Sequence, residues 1–386
     1  MIKRIIIFIF LISFLCFPAY AANEVSVSAE GAALIIAESG ELLFGKNENK
    51  QLSMASTTKI MTSLLLLEEN TPEKEITVTS AMTSVEGTSM GLLPGDKVTC
   101  EALVYGMLLE SGNDAANTAA YVVSGSPAKF AELMNQKAKL IGMENTNFVT
   151  PSGLDAAEHY STAYDMALLG AYAVSNPEFA KICSTNSISL EYGNPPYRRR
   201  LSNHNRLLTM YDGAFGIKTG FTKKSGRCLV SAAERNGITL IAVTLNAPDD
   251  WNDHTKMFDY GFSVVDKQEL KTDTSNLTVP VIGGDKTCVS VSLGEECHYP
   301  VLKGESMSVK SEILLKNFIY APVKEGQTVG EIRYYSDGKQ IASQTLIAGE
   351  SSENTTQEVR KETKKKGLFK RIADFLKKLI DKFCLL

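Results

Sequence analysis

The chain has 386 residues, 44% apolar and 22% charged, enough for two folded domains with an ordinary core. Its net charge of −4 is unevenly spread: ten Lys or Arg against three acids from Arg360 onward put +7 at the end and leave −11 on the rest. An acidic body excludes nucleic acid as the main partner.

Residues 1–21 read as an export signal, with Lys3 and Arg4, an apolar run from Ile5 to Phe17, then Pro18 and the small-residue pattern Ala19-Tyr20-Ala21. Leu15 before Cys16 argues against lipid attachment, which takes a small residue there. Ala32–Ala37, the Ser39-Gly40 turn and Leu42–Phe44 then predict a β-hairpin. A helix starting near Ala55 or Ser56 carries Ile60, Met61, Leu64 and Leu67 on one face and reads as central and buried. Further helices follow over Glu101–Leu109, Asp114–Val123, Ala128–Ile141 and Thr162–Val174, with Thr99 and Ser161 as caps. The pattern then turns to strands, Ala214–Thr219, Arg227–Ala233 and Ile238–Leu245, before a helix near Asp250–Tyr260.

Strands at both ends of this stretch with helices between them predict an α/β (α+β) catalytic domain over residues 22–265. One sheet is closed by the first and last parts, with a helical region inserted. Residues 275–348 are short alternating runs punctuated by Gly283-Gly284, Gly294, Gly304, Gly326 and Asp337-Gly338, and predict a small all-β sandwich. Residues 349–367 read as a polar linker.

Cysteine and histidine usage narrows the chemistry. Six Cys remain after the signal with no CxxC pair, so neither a zinc site nor a disulfide framework is indicated. Cys288 and Cys297 are the nearest candidates for a single bridge. His159, His204, His254 and His298 lack metal-ligand spacing, which argues against a zinc peptidase, and no metal or cofactor is called for.

Three motifs carry the chemistry: Ser56-Thr57-Thr58-Lys59, Ser111-Gly112-Asn113 and Lys218-Thr219-Gly220. A serine hydroxyl is a poor nucleophile at neutral pH and needs a base within hydrogen-bond reach. Lys59, three residues on along a helix, shares a face with Ser56 and can be that base if burial or a second cation such as Lys218 lowers its pKa. A helix start also favours the negative charge that forms during attack. Ser111, between two helices, could protonate a leaving amine, and Asn113 could hold a substrate amide with its donor and acceptor. Lys218 supplies positive charge, Thr219 a hydroxyl for a carboxylate, and Gly220 lets a substrate backbone approach closely. A P-loop is excluded because Ile217 separates Gly216 from Lys218.

The ordered set resembles the low-molecular-mass penicillin-binding proteins that are serine-type D-alanyl-D-alanine carboxypeptidases. Ser152-Gly153-Leu154, His159-Tyr160-Ser161-Thr162 and Asn205-Arg206-Leu207-Leu208 are similar to the same family, over roughly Val25–Phe262. The resemblance implies a β-lactamase/transpeptidase-like catalytic fold. It further implies that Ser56 attacks the carbonyl between the terminal D-alanines of a peptidoglycan stem peptide, with Lys59 taking its proton. The backbone N–H groups of Ser56 and Phe221 would form the oxyanion hole, Ser111 would protonate the departing D-alanine, and Lys218 and Thr219 would bind the terminal carboxylate. β-Lactams should acylate Ser56. His159 has no necessary role beside a Ser-Lys pair and is expected to be structural.

A β-lactamase, a DD-endopeptidase with the same machinery, and a penicillin-binding wall scaffold are the alternatives. The first is disfavoured because no Glu followed four residues later by Asn lies between Asn113 and Lys218. Residues 368–386 close the chain: Leu368, Phe369, Ile372, Phe375, Leu376, Leu379, Ile380 and Phe383 recur at helical spacing among Lys370, Arg371, Lys377, Lys378 and Lys382. So many charges make crossing a bilayer costly, and an in-plane amphipathic membrane anchor is expected rather than a helix docked on the protein's own surface. The expected location is the outer face of the cytoplasmic membrane.

Overall fold

Every residue of the first strand, β1 (Gly31–Ile36), is small or apolar, and the strand is buried along its whole length, as one covered on both faces must be. This computed structural model describes residues 25–355 and 367–377. The expected export segment, most of the expected linker and the tail beyond Lys377, with Cys16 and Cys384, lie outside the described residues. After the Ser39-Gly40 turn β2 (Leu42–Lys46) pairs antiparallel with β1. A 3-10 turn, Ala55–Thr58, then runs into α1 (Lys59–Glu69), buried from Lys59 to Leu66.

The inserted lobe comprises β3 (Glu75–Thr77), α2 (Ser80–Thr83), β4 (Lys97–Thr99), α3 (Cys100–Leu108), α4 (Asn113–Ser124), α5 (Pro127–Ile141), α6 (Ala163–Val174) and α7 (Pro177–Cys183). The hairpin β5 (Ser187–Gly193) and β6 (Pro196–Ser202) and the short α8 (Leu207–Met210) follow. Strands β7 (Ala214–Thr222), β8 (Gly226–Arg235) and β9 (Ile238–Leu245) then form an antiparallel meander, backed by α9 (Asp250–Val264). β9 pairs with β1, giving the order β2-β1-β9-β8-β7. The expected closure of one sheet by both ends of the segment is the observed one.

Strand alternation divides the sheet between two cores. Ala33 and Ile35 of β1 face the helical lobe with α1, α3, α4 and α6, whereas Ala32, Leu34 and Ile36 face α9 through Met257 and Phe258. Thr99 caps α3, accepting from Ala102 N at 3.1 Å. The cap of α6 is Thr162 instead of the expected Ser161: Thr162 Oγ1 accepts from Asp165 N at 3.0 Å, while the Ser161 hydroxyl is engaged by Thr146 at 2.7 Å. The sheet β3-β4-β5-β6 and the helix α7 were not expected from the pattern.

After α9 the chain enters a second, all-β unit. Its strands are β10 (Val265–Glu269), β11 (Thr278–Ile282), β12 (Cys288–Leu293), β13 (His298–Leu302), β14 (Lys310–Leu315), β15 (Ile319–Tyr320), β16 (Thr328–Ser336) and β17 (Lys339–Ala348). A six-stranded sheet, β14-β16-β17-β12-β11-β15, and the antiparallel pair β10-β13 share one core containing Val279, Val289, Tyr299, Ile332, Tyr334 and Leu346. Ser306–Val309, an apolar-alternating run in sequence, forms no strand; pairing begins at Lys310. Cys288 and Cys297 are both free. Residues 367–377 are helical and exposed, and no described helix is long and apolar enough to cross a membrane.

Candidate active site

Ser56 sits in the 3-10 turn, where residues three apart eclipse one another. Lys59 Nζ therefore reaches Ser56 Oγ at 2.8 Å, and it also donates to Ser152 O at 2.7 Å. Lys59 is fully buried, and burial pushes its pKa well below the ordinary lysine value, with Lys218 acting in the same sense and Asp114 opposing. A buried amine biased toward its neutral form beside a hydroxyl can serve as a general base. The turn is entered through Ala55 at φ +49°, a left-handed conformation held from both sides. Thr58 Oγ1 donates to Ala55 O at 2.8 Å, and Gly153 (φ +84°) lies so close that a Cβ there would be 1.9 Å from the same oxygen.

Ser111 joins α3 to α4 and is itself left-handed at φ +60°. Thr88 ties it down: its hydroxyl donates to Ser111 O at 2.6 Å, and its carbonyl accepts from Asn113 N at 2.7 Å. Asn113 Nδ2 donates to Glu86 O at 2.7 Å, while its Oδ1 is buried with no partner. Such an acceptor costs about 1–3 kcal/mol when left unsatisfied, so it suits a ligand N–H. Asp114 holds the facing loop, accepting from Met90 N and Leu92 N, both at 2.9 Å, and from Ser89 Oγ at 2.6 Å.

The third wall is β7. Asn205 fixes its start, donating to Gly216 O at 2.8 Å and accepting from Leu207 N at 3.1 Å. Lys218 Nζ donates to Thr219 O at 2.7 Å, and complete burial lowers its pKa to about 7. At Gly220 a Cβ would meet Met54 O, Ser56 N and Thr57 N, each at 3.1 Å, so glycine lets the strand lie directly against the turn that carries Ser56. Ser56, Ser111, Thr219, Gly220 and Phe221 line a cleft of about 500 Å³, with Lys59, Asn113 and Lys218 buried beside it.

A family model described as D-alanyl-D-alanine carboxypeptidase matches residues 19–249, and one described as the C-terminal domain of penicillin-binding protein 5 matches residues 266–354. The chain belongs to the D-alanyl-D-alanine carboxypeptidase family. It is 35% identical to D-alanyl-D-alanine carboxypeptidase DacF of Bacillus subtilis over 85% of this chain and 87% of that protein. It is 34% identical to DacC of Escherichia coli over 96% and 93% respectively. Among solved structures it is similar to DacD of Francisella tularensis, with a TM-score of 0.62 and 28% identity over 86% of this chain and 95% of that one. Penicillin binding protein 5 of Haemophilus influenzae gives a TM-score of 0.60 and 29% identity over 85% and 98%.

The cleft has a further wall that the motifs did not reveal. Thr88, His204, Arg227, Asp250 and Trp251 also line it. Arg227 Nε and Nη2 donate to Asp250 Oδ1 at 3.0 and 2.6 Å, and the guanidinium lies 5.4 Å from the Trp251 ring centre. Burial raises the Asp250 carboxyl pKa despite the opposing Arg227 charge. In sequence Arg227 is only the start of a strand and Asp250 the start of a helix. The register that sets Arg227 opposite Phe221 is the missing signal.

His159 is structural, as expected. Its Nδ1 accepts from Val149 N at 2.9 Å, which leaves the proton on Nε2, directed at Thr58 Oγ1 3.0 Å away. Burial lowers its pKa to about 4, so the neutral ring braces the Thr58 hydroxyl that in turn holds Ala55 O.

Proposed function

We propose that Ser56 is the nucleophile with which this serine-type D-alanyl-D-alanine carboxypeptidase trims the terminal D-alanine from peptidoglycan stem pentapeptides. The observation that carries the assignment is the 2.8 Å contact between Ser56 Oγ and the buried Lys59 amine. Ser56 Oγ bonds to the carbonyl carbon between the two D-alanines, and its proton passes to Lys59 Nζ. The backbone N–H groups of Ser56 and Phe221 take the developing oxyanion. The C–N bond breaks, the departing D-alanine nitrogen receives a proton through Ser111, and water hydrolyses the ester. Asn113 Oδ1 accepts from a substrate amide, Gly220 admits the substrate backbone, and Lys218 and Thr219 hold the terminal carboxylate. A β-lactam offers a strained amide and a carboxylate in similar positions and acylates the same serine.

We read the catalytic unit as residues 22–265 and the accessory β unit as wider than the expected 275–348, because β10 belongs to it, Ser352 is buried in it and Thr355 still bonds to Gly283, so that the expected linker starts after Thr355 instead of at 349. We read the first 21 residues as an export signal and the tail from Leu368 as an amphipathic anchor on the outer face of the cytoplasmic membrane. The exposed Leu368, Phe369, Ile372, Phe375 and Leu376 of the helical stretch support that reading.

Ser56→Ala should abolish covalent labelling by a fluorescent penicillin, and persistent labelling would reject the nucleophile. Mass spectrometry of a D-Ala-D-Ala-ended peptide should show loss of one alanine. Cleavage of a cross-linked dimer alone would favour the endopeptidase reading.

A further inference from the structure

The edge of the C-terminal β unit carries an apolar surface that no catalytic step uses. β15 lies beyond β11 at the sheet edge, with Ile319 opposite Val281 and Tyr320 opposite Ile282. Strand alternation turns Ile319 and Val281 into the core, 6% and 8% exposed, and leaves Tyr320 and Ile282 outside at 66% and 47%. Phe318, 46% exposed, sets its ring edge-on against Tyr320 with centroids 5.5 Å apart. Lys316 and Lys324, both exposed, flank this run.

The chain leaves the β unit at the same edge. Thr355 donates from its N and its hydroxyl to Gly283 O at 3.1 and 3.0 Å, and Asn354 bridges to Gly284. The residues next to Ile282 thus fix the point from which the chain continues toward its +7 end and the exposed helix at 367–377.

We propose that Ile282, Phe318 and Tyr320 form a second membrane contact, entering the headgroup boundary of an anionic bilayer beside the tail. The proposal rests on the tail-anchor reading. Aromatic side chains with a polar edge favour that boundary, and one weak anchor becomes stable when a second signal joins it. Three side chains fall short of the roughly 800 Å² per partner that a stable protein interface takes. A lipid contact needs only apolar depth.

The test is partitioning of the mature full chain onto vesicles of phosphatidylglycerol and phosphatidylcholine. The double variant Phe318→Ser, Tyr320→Ser should bind about tenfold more weakly, since binding scales with buried apolar area. It should retain thermal stability and turnover of a soluble peptide. A chain ending at Gly367 should keep a weak residual affinity that the same two substitutions remove. Tyr320→Trp should be quenched by brominated lipid beyond the quenching of the parent, whose one Trp is Trp251. Equal partitioning of parent and double variant overturns the second contact and leaves the tail anchor standing. Equal partitioning of the parent and the chain ending at Gly367 overturns the anchor reading, and the proposal with it. A changed sedimentation coefficient with unchanged partitioning would assign the edge to a second copy and reject the membrane.

Discussion

At the scale of single residues, the cleft places two lysines with lowered pKa values near a serine, and a guanidinium on the far wall. Lys218 is buried and bonded to its own strand, whereas Arg227 keeps part of its side chain in the cleft while Asp250 and Trp251 hold it still. A preorganised, cleft-facing cation should therefore contribute to recognition of the substrate's terminal carboxylate. Arg227→Ala is expected to raise KM for an acid-ended D-Ala-D-Ala peptide by about tenfold, the lower end of what a charged hydrogen bond contributes. The KM of the C-terminally amidated peptide should stay unchanged. An equal rise for both peptides would mean that loss of the Asp250 partner had only loosened the wall. The sequence revealed the Ser56–Lys59 pair because i,i+3 spacing is local. Arg227 and Asp250 meet only after β8 and β9 have paired, and no spacing rule reports that.

At the scale of elements, the long apolar strands β8 and β9 were legible because both faces are covered. β5 and β6 escaped notice because their sequences, Ser187–Gly193 and Pro196–Ser202, are mostly exposed and punctuated by charge. The meander also holds an unexpected polar joint with α9. His254 is wholly buried between the Ser231 hydroxyl, bonded to Nδ1, and Thr244 Oγ1, 3.0 Å from Nε2. Burial lowers its pKa to about 3, and that of His159 to about 4, from an ordinary 6.5. A depressed folded-state value means that the unfolded chain binds the proton first, so the stabilisation is present above 6.5 and is lost as pH falls toward the folded values. Each ring should remove about 2 kcal/mol of stability by roughly pH 5. Raised carboxyls at Glu38, Asp165 and Asp250 act in the opposite sense and soften the fall. The urea midpoint should therefore drop between neutral pH and that point; a flat midpoint would show that the two histidines ionise without opening the fold.

At the scale of the whole molecule, the cleft and the β unit are built on separate cores. The cleft belongs to the first unit, whose apolar residues form two clusters, and the β unit closes over a third of its own. Val265, the first residue of β10, packs into the α9 core of the first unit, while β10 pairs with β13 of the second. The helical residues 367–377 are exposed throughout and contribute no side chain to any of the three cores. A chain ending at Gly367 should accordingly keep its kcat/KM on a soluble D-Ala-D-Ala peptide, because changes remote from core and cleft shift stability by about 0.5 kcal/mol or less. Its melting temperature should stay within about 2 °C of the full chain's. Most of the protein should move from the membrane pellet to the supernatant. A fall of several degrees would instead mean that the helix docks on the protein's own surface, since lost docking area registers as lost stability and an exposed anchor does not.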